Sequence, residues 1–115
     1  MSNKGGAGEA LAASYLEEKG FKILKKNFRS RMGEVDIIAL DGQALVFVEV
    51  KTWFSLGIES LEYALDAKKK HKIIETSKYF LSLHREYRYM AIRFDVIFVS
   101  PDGITHLASA FTESV

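Results

Sequence analysis

Several features that often reveal a protein's chemistry are missing from this sequence. It contains no cysteine, which excludes a disulfide framework, a thiolate metal site and a thiol nucleophile. Its three histidines, His71, His84 and His106, show no metal-ligand spacing, so we expect them in solvent or in the core. No apolar stretch is long enough to span a bilayer, and residues 1–6 lack the apolar middle of a signal peptide. We therefore expect a soluble, cytoplasmic protein with no membrane partner.

The chain does contain enough apolar material for a folded domain. It has 115 residues, of which 48% are hydrophobic, and this suffices for a modest core. No repeat, linker or low-complexity segment divides it, so we expect residues 1–115 to form a single domain. The formal net charge of +1 says little about partners.

Hydrophobic periodicity and turn residues predict seven elements in the order α-β-β-β-α-β-β. Helices are expected over residues 7–19, followed by Gly20 at the C′ position, and over residues 66–84, with Asp66 as the N-cap. The remaining segments are predicted as strands over residues 21–28, on both sides of a turn at Asp41-Gly42, over 92–99 and over 104–111, with a loop over 52–60. The sequence therefore predicts the α/β class.

The two strands of the predicted hairpin are apolar on both faces. Alternation assigns one face to Val35, Ile37, Val46, Val48 and Val50, and the other to Ile38, Leu40, Leu45 and Phe47. Strands that are apolar on both faces are typical of a central sheet covered by other elements on each side.

The same hairpin gathers charged residues at one end. A two-residue turn at Asp41-Gly42 would pair Asp36 with Phe47 and Glu34 with Glu49. In that register one face carries, at one end of the sheet, the side chains of Glu34, Asp36, Glu49 and Lys51. Because like charges opposite each other destabilise a sheet, we interpret the cluster as a cation site. An ordinary surface ion-pair cluster is the alternative, and Glu34 alone could simply cap the sheet end.

The residue types in this cluster suit phosphate chemistry with a hard cation. Mg²⁺ is usually held by one or two carboxylates together with substrate phosphate, and Asp36 and Glu49 meet that need. Lys51, on the same face, can orient or deprotonate an attacking water or neutralise charge on the phosphate. Glu9 can add a carboxylate from the first helix, although it would equally serve as a partner of the helix dipole. Lys69 or Lys70 can add a cation from the second helix.

Basic residues are concentrated in segments that flank the acidic hairpin. One run covers residues 19–31 and another covers 68–72, and solvated surface is the alternative explanation for either run alone. Runs of this kind are typical of contacts with a polyanion. The candidate nucleic-acid-binding residues are Lys25, Lys26, Arg29, Arg31, Lys69 and Lys70.

An ordered set of motifs resembles a known family. They are Gly8-Glu9-x-Leu11-Ala12, Gly20-Phe21-x-Ile23-Leu24-x-x-Asn27, Gly33-Glu34-Val35-Asp36-Ile37-Ile38, Val46-Phe47-Val48-Glu49-Val50-Lys51 and Arg93-Phe94-Asp95-Val96. This set resembles the small bacterial YraN-like family and, more broadly, the PD-(D/E)xK nuclease superfamily, which is related to Holliday-junction resolvases. Val35 stands where the superfamily name has proline.

The resemblance implies a restriction-endonuclease-like fold, which is a mixed sheet flanked by helices. It implies that Asp36 and Glu49 bind Mg²⁺ or Mn²⁺, that Lys51 is catalytic, and that Glu9 and the Lys69 region have supporting roles. We therefore expect a Mg²⁺-dependent nuclease acting on DNA. The alternative is a nucleic-acid-binding module that keeps the site but cuts little or acts only in a complex. DNA or RNA as the partner, and the oligomeric state, stay open.

Overall fold

The computed structural model describes residues 6–52 and 65–113. Its elements are α1 (Gly6–Glu18), β1 (Lys22–Arg29), β2 (Glu34–Asp41), β3 (Ala44–Thr52), α2 (Ala67–Leu83), a 3₁₀ turn (Arg85–Tyr87), β4 (Ala91–Ser100) and β5 (Gly103–Phe111). The predicted order α-β-β-β-α-β-β is confirmed. The predicted loop over 52–60 lies outside the described residues, apart from Thr52 at the end of β3. Neither described helix is long and apolar enough to cross a membrane.

The predicted ends of the helices are also correct. Asp66 caps α2, because its carboxylate accepts a hydrogen bond from the Lys69 N–H at 2.9 Å. After α1, Gly20 adopts φ 95°, a conformation that glycine reaches without steric cost. The Phe21 N–H then donates to the Leu16 carbonyl at 3.0 Å, which closes the helix end. These caps set the directions in which the chain enters β1 and α2.

The five strands form one mixed sheet in the order β1-β2-β3-β4-β5. All neighbours are antiparallel except β3 and β4, which are parallel. A parallel pair needs a long crossover connection, and α2 lies in this one. The mixed sheet flanked by helices is therefore confirmed.

Helices cover both faces of the sheet, as the apolar hairpin strands indicated. The residues packed on the α1 face include Ala12, Leu16, Ile37, Ala39, Val46 and Val48. Those packed on the α2 face include Phe28, Ile38, Leu45, Phe47, Ile73 and Phe80. The apolar residues in the middle of the sheet are therefore covered by a helix on each side.

One face assignment is wrong, and the error lies next to Asp36. Val35 packs on the α2 face with Ile38, although alternation grouped it with Ile37, which packs on the α1 face. The ladder between β2 and β3 ends at the pair Ile37–Val48. Beyond it, the Val50 N–H donates at 2.7 Å to the Asp36 side chain instead of to a β2 carbonyl. The strict alternation of β2 therefore stops where the candidate site begins.

The predicted position of the hairpin turn is wrong by one residue. Asp41 pairs with Ala44 and Leu40 with Leu45, so the turn residues are Gly42 and Gln43. Asp41 stays in the strand because its carboxylate accepts a hydrogen bond from Arg93 Nη1 at 2.9 Å, a partner on β4.

This correction moves the register of β2 against β3 by two residues and keeps each side chain on its face. Ile38, rather than Asp36, lies opposite Phe47. Continued past its last pair, the observed register sets Asp36 opposite Glu49, which the sequence had placed diagonally. The extrapolated register therefore brings Asp36 and Glu49 next to each other across the two strands, beyond the last pair of the ladder.

A buried ionic network lies in the half of the sheet nearer this turn. Arg93 forms an ion pair with Asp95 through two hydrogen bonds, Nε to Oδ1 at 2.9 Å and Nη2 to Oδ2 at 3.0 Å. His106 Nε2 lies 2.7 Å from Asp95 Oδ2, and its Nδ1 lies 3.2 Å from the Tyr15 hydroxyl on α1. Burial alone would raise the pKa of Asp95, but these hydrogen bonds and that of the Ser109 N–H hold it below its usual value. The network ties α1 to β4 and β5.

Candidate functional site

A cleft of about 970 Å³ opens at the end of the sheet where β2 begins and β3 ends. The first turn of α1 borders it on one side, and the first two turns of α2 border it on the other. Because β2 and β3 run antiparallel, the start of β2 and the end of β3 lie side by side at this end of the sheet. The cleft is lined by all of the residues expected to be catalytic or supporting, namely Glu9, Glu34, Asp36, Glu49, Lys51 and Lys69.

Asp36 is a nearly buried carboxylate, with 7% of the residue exposed. Burial raises its pKa to about 6, although the hydrogen bond from the Val50 N–H opposes the change. The carboxylates of Glu9, which is also its hydrogen-bond partner, and of Glu34 raise the pKa further. Asp36 therefore sits where a negative charge is costly unless a cation joins it.

Glu49 is a second nearly buried carboxylate, with 8% of the residue exposed. Burial and the charge of Asp36 raise its pKa to about 7, while Lys51 and Lys69 lower it. Lys51 Nζ lies 3.4 Å from Glu49 Oε2, and Lys69 Nζ lies 3.7 Å from the same oxygen. Two ammonium groups from different elements thus share one carboxylate oxygen.

Lys51 is held at the centre of this arrangement by its position near the end of β3. Burial lowers its pKa, and the neighbouring charge of Lys69 lowers it further, while Glu49 acts in the opposite direction. A lysine with a lowered pKa loses its proton more readily than a lysine in water. The side chain can therefore act as a cation or as a proton acceptor within the cleft.

Glu9 reaches the cleft because α1 lies directly against the end of β3. A Cβ atom placed on Gly8 would collide with the Thr52 hydroxyl, so glycine permits this close approach while Thr52 keeps its position. Sequence reasoning assigned no role to Gly8, although the residue belongs to one of the family motifs. Its effect depends on a contact between segments distant in the sequence, which no local pattern signals.

Glu34 differs from the other carboxylates because it is exposed. It forms an ion pair with Arg29, with 3.1 Å between Nε and Oε1, and both side chains are open to solvent. Its charge still raises the pKa of Asp36. The position suits a role in shaping the local potential better than a role as a buried ligand.

The residues expected to bind nucleic acid divide into two groups. Arg29 and Lys69 line the cleft. The structure does not bring Lys25, Lys26, Arg31 and Lys70 to its lining. The first three are exposed on the edge strand β1 or in the loop after it, and Lys70 Nζ lies 5.9 Å from the ring centre of Phe111.

Two further lysines of the predicted basic run 68–72, Lys68 and Lys72, also line the cleft. The signal that separates them from Lys70 is helical spacing. Residues four apart lie on the same side of a helix, whereas Lys70 lies between them on another side.

The described residues contain no group of three or more His, Cys, Asp or Glu side chains arranged to hold one ion. The three-carboxylate cluster expected from the sequence is therefore reduced to Asp36 and Glu49, with Glu9 hydrogen-bonded to Asp36. Two carboxylates still meet the needs of Mg²⁺, which keeps several waters and takes further oxygen ligands from substrate phosphate. Their burial and raised pKa values fit a site that a divalent cation would complete.

The sequence is similar to those of a known protein family. The profile of the uncharacterised protein family UPF0102 matches residues 8–99. The chain is 42% identical to a UPF0102 protein of Treponema denticola, with 96% of each chain covered. It is 44% identical to one of Persephonella marina, covering 94% of this chain and 92% of the relative. It is 46% identical to one of Syntrophus aciditrophicus, covering 86% and 79%.

Proposed function

The chain belongs to the uncharacterised protein family UPF0102, the YraN-like family that its motifs resemble, and from its cleft we propose a metal-dependent nuclease that acts on DNA. The observation that carries this proposal is the pair Asp36 and Glu49, two nearly buried carboxylates with raised pKa values beside Lys51. Carboxyl groups with raised pKa values beside a lysine in a cleft are typical of functional sites. Membership of the PD-(D/E)xK superfamily is part of the proposal.

Asp36 and Glu49 would hold Mg²⁺ or Mn²⁺. Bound there, the ion would polarise a phosphoryl oxygen and acidify a water molecule. Asp36 is suited to the task because the Val50 N–H fixes the orientation of its carboxylate. Glu49 is suited because Lys51 and Lys69 stabilise its ionised form.

Lys51 would serve the attacking water and the phosphate. Hydrolysis joins the oxygen of water to phosphorus, breaks one P–O bond and delivers a proton to the departing oxygen. The Lys51 ammonium group, 3.4 Å from Glu49 Oε2, can neutralise charge that develops on the phosphate. Its lowered pKa also allows it to accept a proton from the water.

The supporting residues act through these three. Glu9 orients the carboxyl group of Asp36, with which it is hydrogen-bonded, and adds negative charge beside it. Lys69 contributes a second positive charge beside Glu49. Glu34 adds negative charge at the edge of the cleft, which favours a divalent cation.

A second function, a nucleic-acid-binding module that does not cut, is favoured by one observation. Three lysines of α2, namely Lys68, Lys69 and Lys72, line the cleft. A cleft of this kind would bind phosphate through its cations and would need a partner protein or a particular DNA structure for any cleavage.

A cleavage screen separates these two functions. Purified protein is incubated with single-stranded, duplex, flapped and four-way DNA, with Mg²⁺, with Mn²⁺ or with a chelator. We expect metal-dependent cleavage that is abolished by Asp36→Asn and Glu49→Gln and slowed about 100-fold or more by Lys51→Ala. Glu18→Gln, at an exposed position of α1, is the matched control and should cleave like the wild type. Binding without cleavage of any substrate would favour the module, and cleavage that survives all three changes would show a contaminating nuclease.

A further inference from the structure

The α2 wall of the cleft carries positive charge that none of the described acidic residues pairs with. Lys68 and Lys72 lie four residues apart, on one side of the helix, and both line the cleft. In the part of the chain that the structure describes, neither forms an ion pair within 4.0 Å. Lys69 and Lys78, on the same helix, do form ion pairs, with Glu49 and with Glu113.

The loop between β1 and β2 is attached to α2 beside Lys72. The Ser30 hydroxyl lies 3.0 Å from the hydroxyl of Thr76, which is fully buried and one turn beyond Lys72. Two bonds close the loop on itself, from the Ser30 N–H to the Gly33 carbonyl at 2.8 Å and from the Met32 N–H to the Ser30 hydroxyl at 3.0 Å. These hydrogen bonds hold the β1–β2 loop in place against α2.

Gly33 lets this loop lie against the stem of Lys72. A Cβ atom on Gly33 would come within 3.1 Å of the Lys72 Cβ atom, closer than ordinary van der Waals contact. The near end of the lysine thus lies against the loop, and the residue lines the cleft.

Arg29 supplies a third cation where β1 leads into this loop. It also lines the cleft, and its only ion pair among the described residues is with Glu34 at the exposed rim. Exposed pairs of this kind contribute little free energy, so Arg29 can exchange Glu34 for a phosphate at small cost.

We propose that Lys68, Lys72 and Arg29 form a phosphate subsite for the DNA strand. It lies next to the phosphate that a metal ion at Asp36 and Glu49 would bind. The proposal rests on the proposed function for the identity of that neighbouring phosphate. It places the strand along the first two turns of α2, towards the β1–β2 loop. The contacts are to phosphate alone, so the subsite positions the strand and selects no base.

Salt-dependent DNA binding tests this subsite without any need for cleavage. The affinity of a fluorescent DNA duplex is measured by anisotropy in chelator, from about 50 to about 200 mM salt. Each lost phosphate contact makes the plot of log affinity against log salt less steep by about 0.9. We expect the plot for the variant with both Lys68→Ala and Lys72→Ala to be less steep than that of the wild type by about 1.8. Lys72→Arg should keep the wild-type slope, because it keeps the charge.

Lys78→Ala is the matched control, because it removes the same charge from the same helix but from outside the cleft. The subsite is supported if the slope falls in the double variant and hardly changes in Lys78→Ala. It is overturned if the double variant keeps the wild-type slope, or if Lys78→Ala flattens the slope by half as much as the double variant does. Absence of wild-type binding at low salt overturns both the subsite and the nuclease, whereas lysine-dependent binding without cleavage leaves the subsite standing and removes the nuclease.

Discussion

At the scale of single residues, Asp36 and Glu49 hold their protons more tightly in the folded protein than in the unfolded chain. Their pKa values are raised, chiefly by burial, to about 6 and about 7 from ordinary values of 3.8 and 4.5. The folded state therefore binds more protons than the unfolded state at intermediate pH. The corresponding stability is fully present below the ordinary values and is lost as the pH rises through the raised ones.

This titration predicts a pH dependence of stability without metal. In chelator, the melting temperature should fall between about pH 5 and pH 8, since ionising Glu49 costs about 3 kcal/mol of folding free energy. Glu49→Gln should flatten the curve and be more stable than the wild type at the upper end. Thermal unfolding across this range measures the effect, with exposed Glu17→Gln as the control. Parallel curves for wild type and Glu49→Gln would contradict the raised pKa.

Divalent metal should reverse this loss. An ion that binds only the folded state stabilises it by mass action, by about 2.7 kcal/mol at a concentration 100 times its dissociation constant. We expect Mg²⁺ or Mn²⁺ to raise the melting temperature more at pH 8 than at pH 6, because the ion replaces protons on Asp36 and Glu49. Asp36→Ala and Glu49→Ala should remove the response. Equal responses in these variants and in the wild type would place the bound ion elsewhere.

At the scale of elements, the position of α1 depends on one close contact with β3. Gly8→Ala should push the start of the helix away from Thr52 and carry Glu9 away from Asp36. Overpacking of this kind typically costs 1–3 kcal/mol, about what we expect in urea unfolding. Thr52→Ala removes the colliding hydroxyl, so the double variant should recover part of the loss. If the two changes simply add, the contact does not set the position of the helix.

The hairpin illustrates how far the sequence predicts such elements. Asp36, Glu49 and Lys51 were placed on a common face because strand alternation depends only on whether the register shift is even or odd. The turn was placed one residue too early, because Asp41 is kept in the strand by Arg93, which is 52 residues away. A local turn preference carries no information about such a partner.

The helix α2 shows a similar division. Its N-cap Asp66 follows from local pattern, and the structure confirms it. Which lysines face the cleft depends on the rotation of the helix relative to the sheet end and on the loop fixed at Thr76. The sequence consequently predicted a basic surface without separating Lys72 from Lys70.

At the scale of the whole molecule, charge is distributed unevenly although the net charge is only +1. The floor of the cleft carries the carboxylates of Asp36 and Glu49, and cations line its wall on α2. A DNA strand entering the cleft therefore meets attraction along the wall and repulsion at the floor, until a divalent cation reverses the charge at the floor.

This arrangement predicts opposite effects of one substitution in two buffers. Asp36→Asn removes a negative charge and keeps an oxygen that can accept from the Val50 N–H. In chelator at pH 8 it should bind DNA more tightly than the wild type, because a charge facing phosphate is gone. Near pH 5 the difference should shrink, since the pKa of Asp36 is raised to about 6 and the wild-type carboxyl is then largely protonated. With Mg²⁺ the order should reverse, because the variant holds the ion poorly.

Anisotropy titrations under the three conditions measure this, with Glu18→Gln as the charge-matched control at an exposed position. Tighter binding by Glu18→Gln to the same extent would mean that overall charge, and not the cleft, governs the interaction.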